Sequence, residues 1–226
     1  GTNDLAVSPD GTRILVGANS RGPTILSPGD EPSTMLEGFR GQVWAVAFNA
    51  DGRLAAAAGG QFDPSERVIR VWDVASGEVV KVLEVGETPI VYSLQFTNDG
   101  HLLSMSESGL LRWDLRTGEK ELVFEGRIFR FVADAEGHKA VVVETEDPSD
   151  LWGHTLLLDL DSGGVNRLEK FGNDVVSLAL DQAGSLLLRD ARQLVLGFAD
   201  AHRRPNRHAP ASDGGGESLT SRREVG

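Results

Sequence analysis

Short apolar runs alternate with polar, glycine-bearing gaps along most of this chain. The pattern is cleanest from Val43 to Leu83, VWAVAFNADGRLAAAAGGQFDPSERVIRVWDVASGEVVKVL. The gaps hold turn chemistry: Asn49-Ala50-Asp51-Gly52, then Gly59 to Glu66, then Ala75-Ser76-Gly77. Runs of this length between Gly, Asn, Asp and Ser clusters predict strands, so the stretch predicts four strands in an antiparallel meander. Ala55 to Ala58 could start a helix, but four residues bounded by Gly52 and Gly59-Gly60 are too few to nucleate one. Their small size suits a strand crowded near a narrow axis.

The unit recurs. An apolar run, a few polar residues and a closing Gly appear as LAVSPDG, VAFNADG and LQFTNDG, with weaker copies FVADAEG and LALDQAG. The closing glycines Gly11, Gly52, Gly100, Gly137 and Gly184 are 41, 48, 37 and 47 residues apart. That period suits four short strands per repeat, the spacing of propeller blades. A second anchor keeps phase inside three units: VWDVASG, RWDLRTG and LLDLDSG. Asp73, Asp114 and Asp159 each precede a glycine (Gly77, Gly118, Gly163) by four residues. An Asp that accepts from the backbone ahead of it, followed by a Gly free to take positive φ, is a tight structural turn.

At these residues the chain resembles the WD-repeat β-propeller family. Trp72-Asp73 and Trp113-Asp114 match its name-giving dipeptide, and Asp10-Gly11, Asp51-Gly52 and Asp99-Gly100 match its first turn. The resemblance covers residues 1–200 and implies an all-β fold, a propeller of four-stranded antiparallel blades with about 4.5 blades present in an incomplete ring. Blades are expected over 1–38, 42–86, 90–127, 128–173 and, in part, 175–200, with 201–226 a disordered or non-native tail. The repeats are a degenerate, bacterial type. Where the family places a Gly-His pair, this chain has Gly38-Phe39, Gly86-Glu87 and Gly126-Arg127. The buried His–Asp network of the family therefore cannot form in its usual way.

Composition narrows the function classes. Net charge is −12. Residues 201–226 carry five Arg against three acids, so the preceding body is at −14. Phosphate binding needs clustered Lys and Arg, so an acidic body argues against nucleic acid as partner. There is no cysteine, hence no disulfide, thiolate metal site or cysteine nucleophile. No apolar stretch reaches about 18 residues, so no membrane span or membrane partner is expected. The chain has no signal-like start and reads as a fragment of a longer, cytoplasmic protein.

Candidate chemistry is sparse. The resemblance implies that partners bind the face bearing the gaps between second and third strands and the links between blades. Two of those gaps are long and acidic, QFDPSER and ETEDPSDLWG. Long loops on a rigid scaffold concentrate function, so Phe62, Asp63, Glu66, Arg67, Asp147, Asp150 and Trp152 are the candidate partner-binding residues, with Trp152 as anchor. Trp44, Trp72 and Trp113 fall in strands and read as core, though Trp44 could stack on a ligand near the axis. His101 and His138 follow turn glycines and read as solvated turn residues. His154 lies close in sequence to Glu144, Glu146, Asp147 and Asp150, an arrangement with some acid–base or metal-binding potential. The run Asp159-Leu160-Asp161-Ser162-Gly163 lacks the third ligand and distal Glu of a calcium loop, so a hairpin explains it better. No nucleophile elbow, phosphate loop or dinucleotide fingerprint occurs. No catalytic residue, cofactor or metal is expected. The expected function is a non-catalytic protein–protein interaction scaffold within a larger signalling or regulatory protein. The alternatives are an accessory propeller of a hydrolase or peptidase, or a small-ligand or sugar binder.

Overall fold

The computed structural model describes residues 1–19, 22–29, 32–39, 41–59, 67–86, 90–145 and 154–168, and the backbone of 175–180, 186–190 and 194–198. The described residues contain strands and turns and no helix. The first sheet is β1 (Thr2–Val7), β2 (Ile14–Ala18), β3 (Thr24–Leu26) and β4 (Thr34–Met35). The second is β5 (Val43–Phe48), β6 (Leu54–Gly59), β7 (Val68–Asp73) and β8 (Val79–Glu84). The third is β9 (Val91–Phe96), β10 (His101–Ser106), β11 (Gly109–Asp114) and β12 (Lys120–Glu125). The fourth is β13 (Ile128–Ala133), β14 (Lys139–Glu144), β15 (His154–Asp159) and β16 (Val165–Arg167). The fifth has three strands, β17 (Val175–Leu180), β18 (Leu186–Asp190) and β19 (Leu194–Phe198). Each sheet is a meander in chain order with every pair antiparallel.

The sheets pack face to face in sequence, with first strands adjacent: β1 on β5, β5 on β9, β9 on β13 and β13 on β17. No comparable packing joins the fifth sheet to the first, so the ring is not closed by the described residues. This is an all-β propeller of four-stranded blades, with the first strand of each blade innermost.

Three apolar clusters fill the gaps between blades, and alternation sorts residues between them. Ala55 and Ala57 join Leu15, Ile25 and Trp72 between the first and second blades. Ala56 and Ala58 join Leu102, Leu111 and Trp113 between the second and third. β6 is thus the second strand from the axis, and its alanines are small because both neighbouring blades press on them rather than because the axis does. Leu103, Met105 and Leu110 meet Ala140, Val142, Leu156 and Leu158 between the third and fourth. Trp72 and Trp113, 0% and 1% exposed, each bury enough surface for about 4–6 kcal/mol before entropy.

A buried indole N–H must find a partner, and the two tryptophans do so differently. Trp113 Nε1 donates to Ser104 Oγ across the ladder at 2.8 Å. In the second blade the position matching Ser104 is Ala57, which offers no acceptor, and Trp72 Nε1 donates instead to the Glu37 carbonyl at 2.9 Å. Phe39, standing where the family has His, is buried with the Arg70 guanidinium 5.2 Å over its ring.

Innermost strands of adjacent blades share no backbone ladder, and side chains bridge them. Asn3 Nδ2 donates to the Val43 carbonyl and Asp4 Oδ2 accepts from Val46 N–H, at 2.9 and 2.8 Å. Gln95 makes a reciprocal pair with the backbone of Ala133, at 2.8 and 2.9 Å. Farther out, Lys81 Nζ reaches the Arg116 carbonyl and Lys120 Nζ reaches the Glu84 and Val85 carbonyls. Lys120 also sits 5.3 Å over the Trp113 ring.

Candidate partner-binding face

At one end of the blades the innermost strands begin, β6 ends and β7 starts, and β14 ends and β15 starts. Opposed pairs locate that end: Val43 with Gly59 and Ile128 with Glu144. At the same end every innermost strand breaks register at its second residue. Thr2 and Asp4 pair with adjacent residues of β2, as do Val43 and Ala45 with β6, Val91 and Ser93 with β10, Ile128 and Arg130 with β14, and Val175 and Ser177 with β18. The residues left over are Asn3, Trp44, Tyr92, Phe129 and Val176. Each is the extra residue of a β-bulge, a device that bends a strand and re-aims a side chain.

Three consecutive blades put an aromatic ring at this place. Trp44 and Tyr92 meet edge to face, ring centres 6.3 Å apart at 70°. Phe129 is 38% exposed. Tyr92 OH donates to Glu107 Oε1 at 3.1 Å, in the β10–β11 turn at the same end. Partial burial, and then the Glu107 carboxylate, push the Tyr92 phenol above its usual range. Beside the row, Gln42 Oε1 and Trp44 Nε1 are enclosed without a hydrogen-bond partner among the described residues. A buried acceptor and donor left unpaired cost free energy.

Gly59 makes the local shape possible. A Cβ on it would stand 1.9 Å from the Gln42 carbonyl oxygen and 2.9 Å from the Phe39 ring. Only a bare backbone lets Phe39 and Gln42 lie against the end of β6.

Of the partner-binding residues expected from sequence, Phe62, Asp63, Glu66, Asp147, Asp150 and Trp152 lie outside the described residues. Arg67 is described, and its carbonyl accepts Val85 N–H at 3.2 Å. The turn residues are all described. Asp73 Oδ1 accepts from Ala75 and Ser76 N–H, Asp114 Oδ1 from Arg116 and Thr117, and Asp159 Oδ1 from Asp161 and Ser162. Gly77, Gly118 and Gly163 close these turns at φ of 71°, 85° and 71°. The backbone donors of Ser76, Thr117 and Ser162 hold the three carboxyls below the ordinary aspartate range.

The three described histidines are engaged rather than free. His101 Nδ1 lies 2.8 Å from Asp99 Oδ2, and His138 Nδ1 2.8 Å from Asp161 Oδ2. The His154 ring lies against the Arg167 guanidinium at 2.6 Å. His154 sits opposite Glu144 in the ladder. Among the described residues no group of three His, Cys, Asp or Glu could hold a metal ion, and no helix is long and apolar enough to cross a membrane.

Comparison with known proteins gives the following. The WD40 family, "WD domain, G-beta repeat", matches residues 30–73, which span the end of the first blade and β5 to β7 of the second. Protein tipD of Dictyostelium discoideum is 30% identical over 93 residues, 40% of this chain and 14% of that protein. The hydrazine synthase structure of Kuenenia stuttgartiensis superposes with a TM-score of 0.65 at 14% identity, over 89% of this chain and 59% of that one. That likeness is one of fold. This chain therefore spans a small part of the first relative and somewhat over half of the second. Repeats of the matched family generally mediate contacts between proteins and are generally not catalytic.

Proposed function

From the premise that this chain is a WD-repeat propeller, we propose that it is a non-catalytic scaffold that receives a protein partner on the face where its innermost strands begin. The observation that carries this reading is the repeated bulge. One device, used in every blade, turns Trp44, Tyr92 and Phe129 out of the strand alternation into a single row. Aromatic anchors dominate the energy of protein interfaces. A rigid sheet holds them at little entropic cost on binding. The same end also carries the loops after β6 and β14, whose sequences are acidic and contain Asp-Pro-Ser. The small share of tipD matched fits a module within a larger signalling or regulatory protein.

A displayed peptide library selected on the chain tests this. Selected peptides should bind wild type and lose about 5- to 30-fold in affinity against Trp44→Ala or Phe129→Ala, the range for interface anchors worth about 1–2 kcal/mol. Val80→Ala, on the outer strand of the second blade, should leave binding unchanged. Peptides that bind all variants equally would show that the partner sits elsewhere.

A further inference from the structure

We infer that the outer groove between the second and third blades is a binding site for a small organic oxyanion, a carboxylate or phosphate carried on an apolar body. The groove has a volume of about 460 Å3, within the range of small-molecule sites. One wall is Lys81, Val82 and Glu84 of β8, and the other includes Trp113, Glu119 and Lys120 around the β11–β12 turn. β8 and β12 are the outermost strands of their blades. The aromatic row stands on the innermost strands, so this site does not depend on the partner-binding reading.

Each wall sends a lysine across to the other. Lys81 Nζ donates to the Arg116 carbonyl at 3.0 Å, and Lys120 Nζ to the Glu84 and Val85 carbonyls at 3.1 and 3.0 Å. Their ammonium ends lie against bare backbone, 3.7 Å from where a Cβ of Gly118 would stand and 3.4 Å from that of Gly86. These contacts fix the two charges without neutralising them. An ammonium has three donors, so Lys81 keeps two and Lys120 one. Among the described residues neither lysine pairs with a carboxylate. Glu84 and Glu119 line the same groove, but both are exposed and their carboxylates make no hydrogen bond or ion pair among the described residues. They are free to turn into water, and the lysines are not. A group already held in place costs little to order on binding, so the groove favours an anion. Compact ammonium groups suit carboxylate or phosphate oxygens. The apolar lining is Val82, 49% exposed, and the Trp113 ring, 5.3 Å from Lys120 Nζ. An inorganic ion would leave Val82 wet, whereas an anion with a hydrocarbon or aromatic body covers it and gains the burial.

The chain carries a net charge of −12, which opposes the approach of an anion. At about 0.1 M salt that field is screened beyond about 10 Å, and contact inside the groove decides. Calorimetric titration of the chain with phenyl phosphate, benzoate and inorganic phosphate at that salt is the test. Phenyl phosphate or benzoate should saturate a single site, and the tighter of the two names the head group. Inorganic phosphate should bind at least about 5-fold more weakly than phenyl phosphate, for want of the apolar body. Lys81→Gln should weaken binding of the tighter probe about 10-fold, the worth of a hydrogen bond from a charged donor. Glu84→Gln with Glu119→Gln leaves both lysines in place and should tighten binding about 2- to 5-fold by removing exposed like charge. No saturable binding of either organic probe overturns the inference, as does affinity indifferent to Lys81→Gln. Inorganic phosphate binding as tightly as phenyl phosphate overturns it too, because the apolar wall would then be idle. Weaker binding after the two glutamates are replaced would show that the groove does not select for negative charge, and has the same consequence.

Discussion

Replacing Gly59 by Ala asks whether the entry to the second blade is set by close backbone approach. The new Cβ would stand 1.9 Å from the Gln42 carbonyl oxygen and 3.0 Å from its carbon. A relaxed carbon-to-oxygen contact is about 3.3 Å or more, so Gln42 must retreat by about 1.4 Å. The obstacle is backbone, not the end of a flexible side chain, and Phe39 blocks a second direction at 2.9 Å. Overpacking of this sort costs about 1–3 kcal/mol, here toward the upper end. Alanine returns about 0.5 kcal/mol by restricting the unfolded chain, leaving a net loss of about 2 kcal/mol. For a chain of this size that lowers the melting temperature by roughly 4–8 °C.

Tryptophan fluorescence is the fitting assay, because Trp44 and Trp72 lie in the affected blade and Trp113 in the next. It follows the region even if the array melts in steps. The control is Gly164→Ala, where the nearest atom to the new methyl is the Ser162 hydroxyl at 3.3 Å, a side chain that can turn aside. It should stay within about 0.5 kcal/mol of wild type. If Gly59→Ala melts at or above wild type, the close approach is not a constraint and the account of this corner fails.

Two further outcomes follow from hydrogen bonding. Trp113→Phe strands the Ser104 hydroxyl, 1% exposed, and should cost about 2–3 kcal/mol in urea unfolding. Trp72→Phe frees only the carbonyl of exposed Glu37, which water can reach, and should cost about 1 kcal/mol less. Adding Ser104→Ala to Trp113→Phe should restore about 1 kcal/mol, and a further loss instead would refute the pairing. In acid, the hydroxyl of Ser8, and then the Thr12 N–H, hold Asp10 down to about 2, and Asp73, Asp114 and Asp159 are lowered in the same sense. Folded values below the unfolded one mean that their stabilisation is complete above about pH 4 and fades as pH falls through the folded values. Asp4 runs the other way: burial, outweighing its bonds from Val46 and Leu5, raises it, so its contribution favours folding when protonated and is lost as pH rises past 3.8. The urea midpoint should therefore fall between about pH 4 and pH 2, and Asp10→Asn should flatten that slope. An unchanged slope in the variant would remove Asp10 from the account.

What could be read from sequence was whatever chemistry is local. Asp73, Asp114 and Asp159 bind backbone two and three residues ahead, and Gly77, Gly118 and Gly163 close the same turns. A turn that completes itself within five residues leaves its mark on five residues. The blade period followed from those marks, and the four-stranded meanders from the period. Trp72 illustrates the limit. Its burial was legible from its place in an apolar run, but its N–H partner is a carbonyl 35 residues earlier, chosen only when the first blade packs on the second. The alanines of β6 were legible as crowded and not as to what crowds them, because two different blades press on alternate residues.

The aromatic row escaped for a more specific reason. Alternation is the rule by which a strand's faces are assigned, and a bulge is the place where alternation fails. Trp44, Tyr92 and Phe129 therefore cannot be sorted into core or surface by counting along their own strands. They line up only when counted back from the turn glycines, eight residues in every blade: Gly11 to Asn3, Gly52 to Trp44, Gly100 to Tyr92, Gly137 to Phe129 and Gly184 to Val176. The constancy of that interval fixes the bulge as part of the repeat, while the residue occupying it varies from Asn to Trp to Val. The backbone device is common to all blades and the side chain is not, as expected where the scaffold is set by folding and the occupant by what the face must bind. If so, exchanging residues at these places should alter partner preference far more than stability. Trp44→Ala should leave the melting temperature of the chain nearer to wild type than Trp72→Ala does, since the Trp44 ring is only half-buried and the Trp72 ring is core.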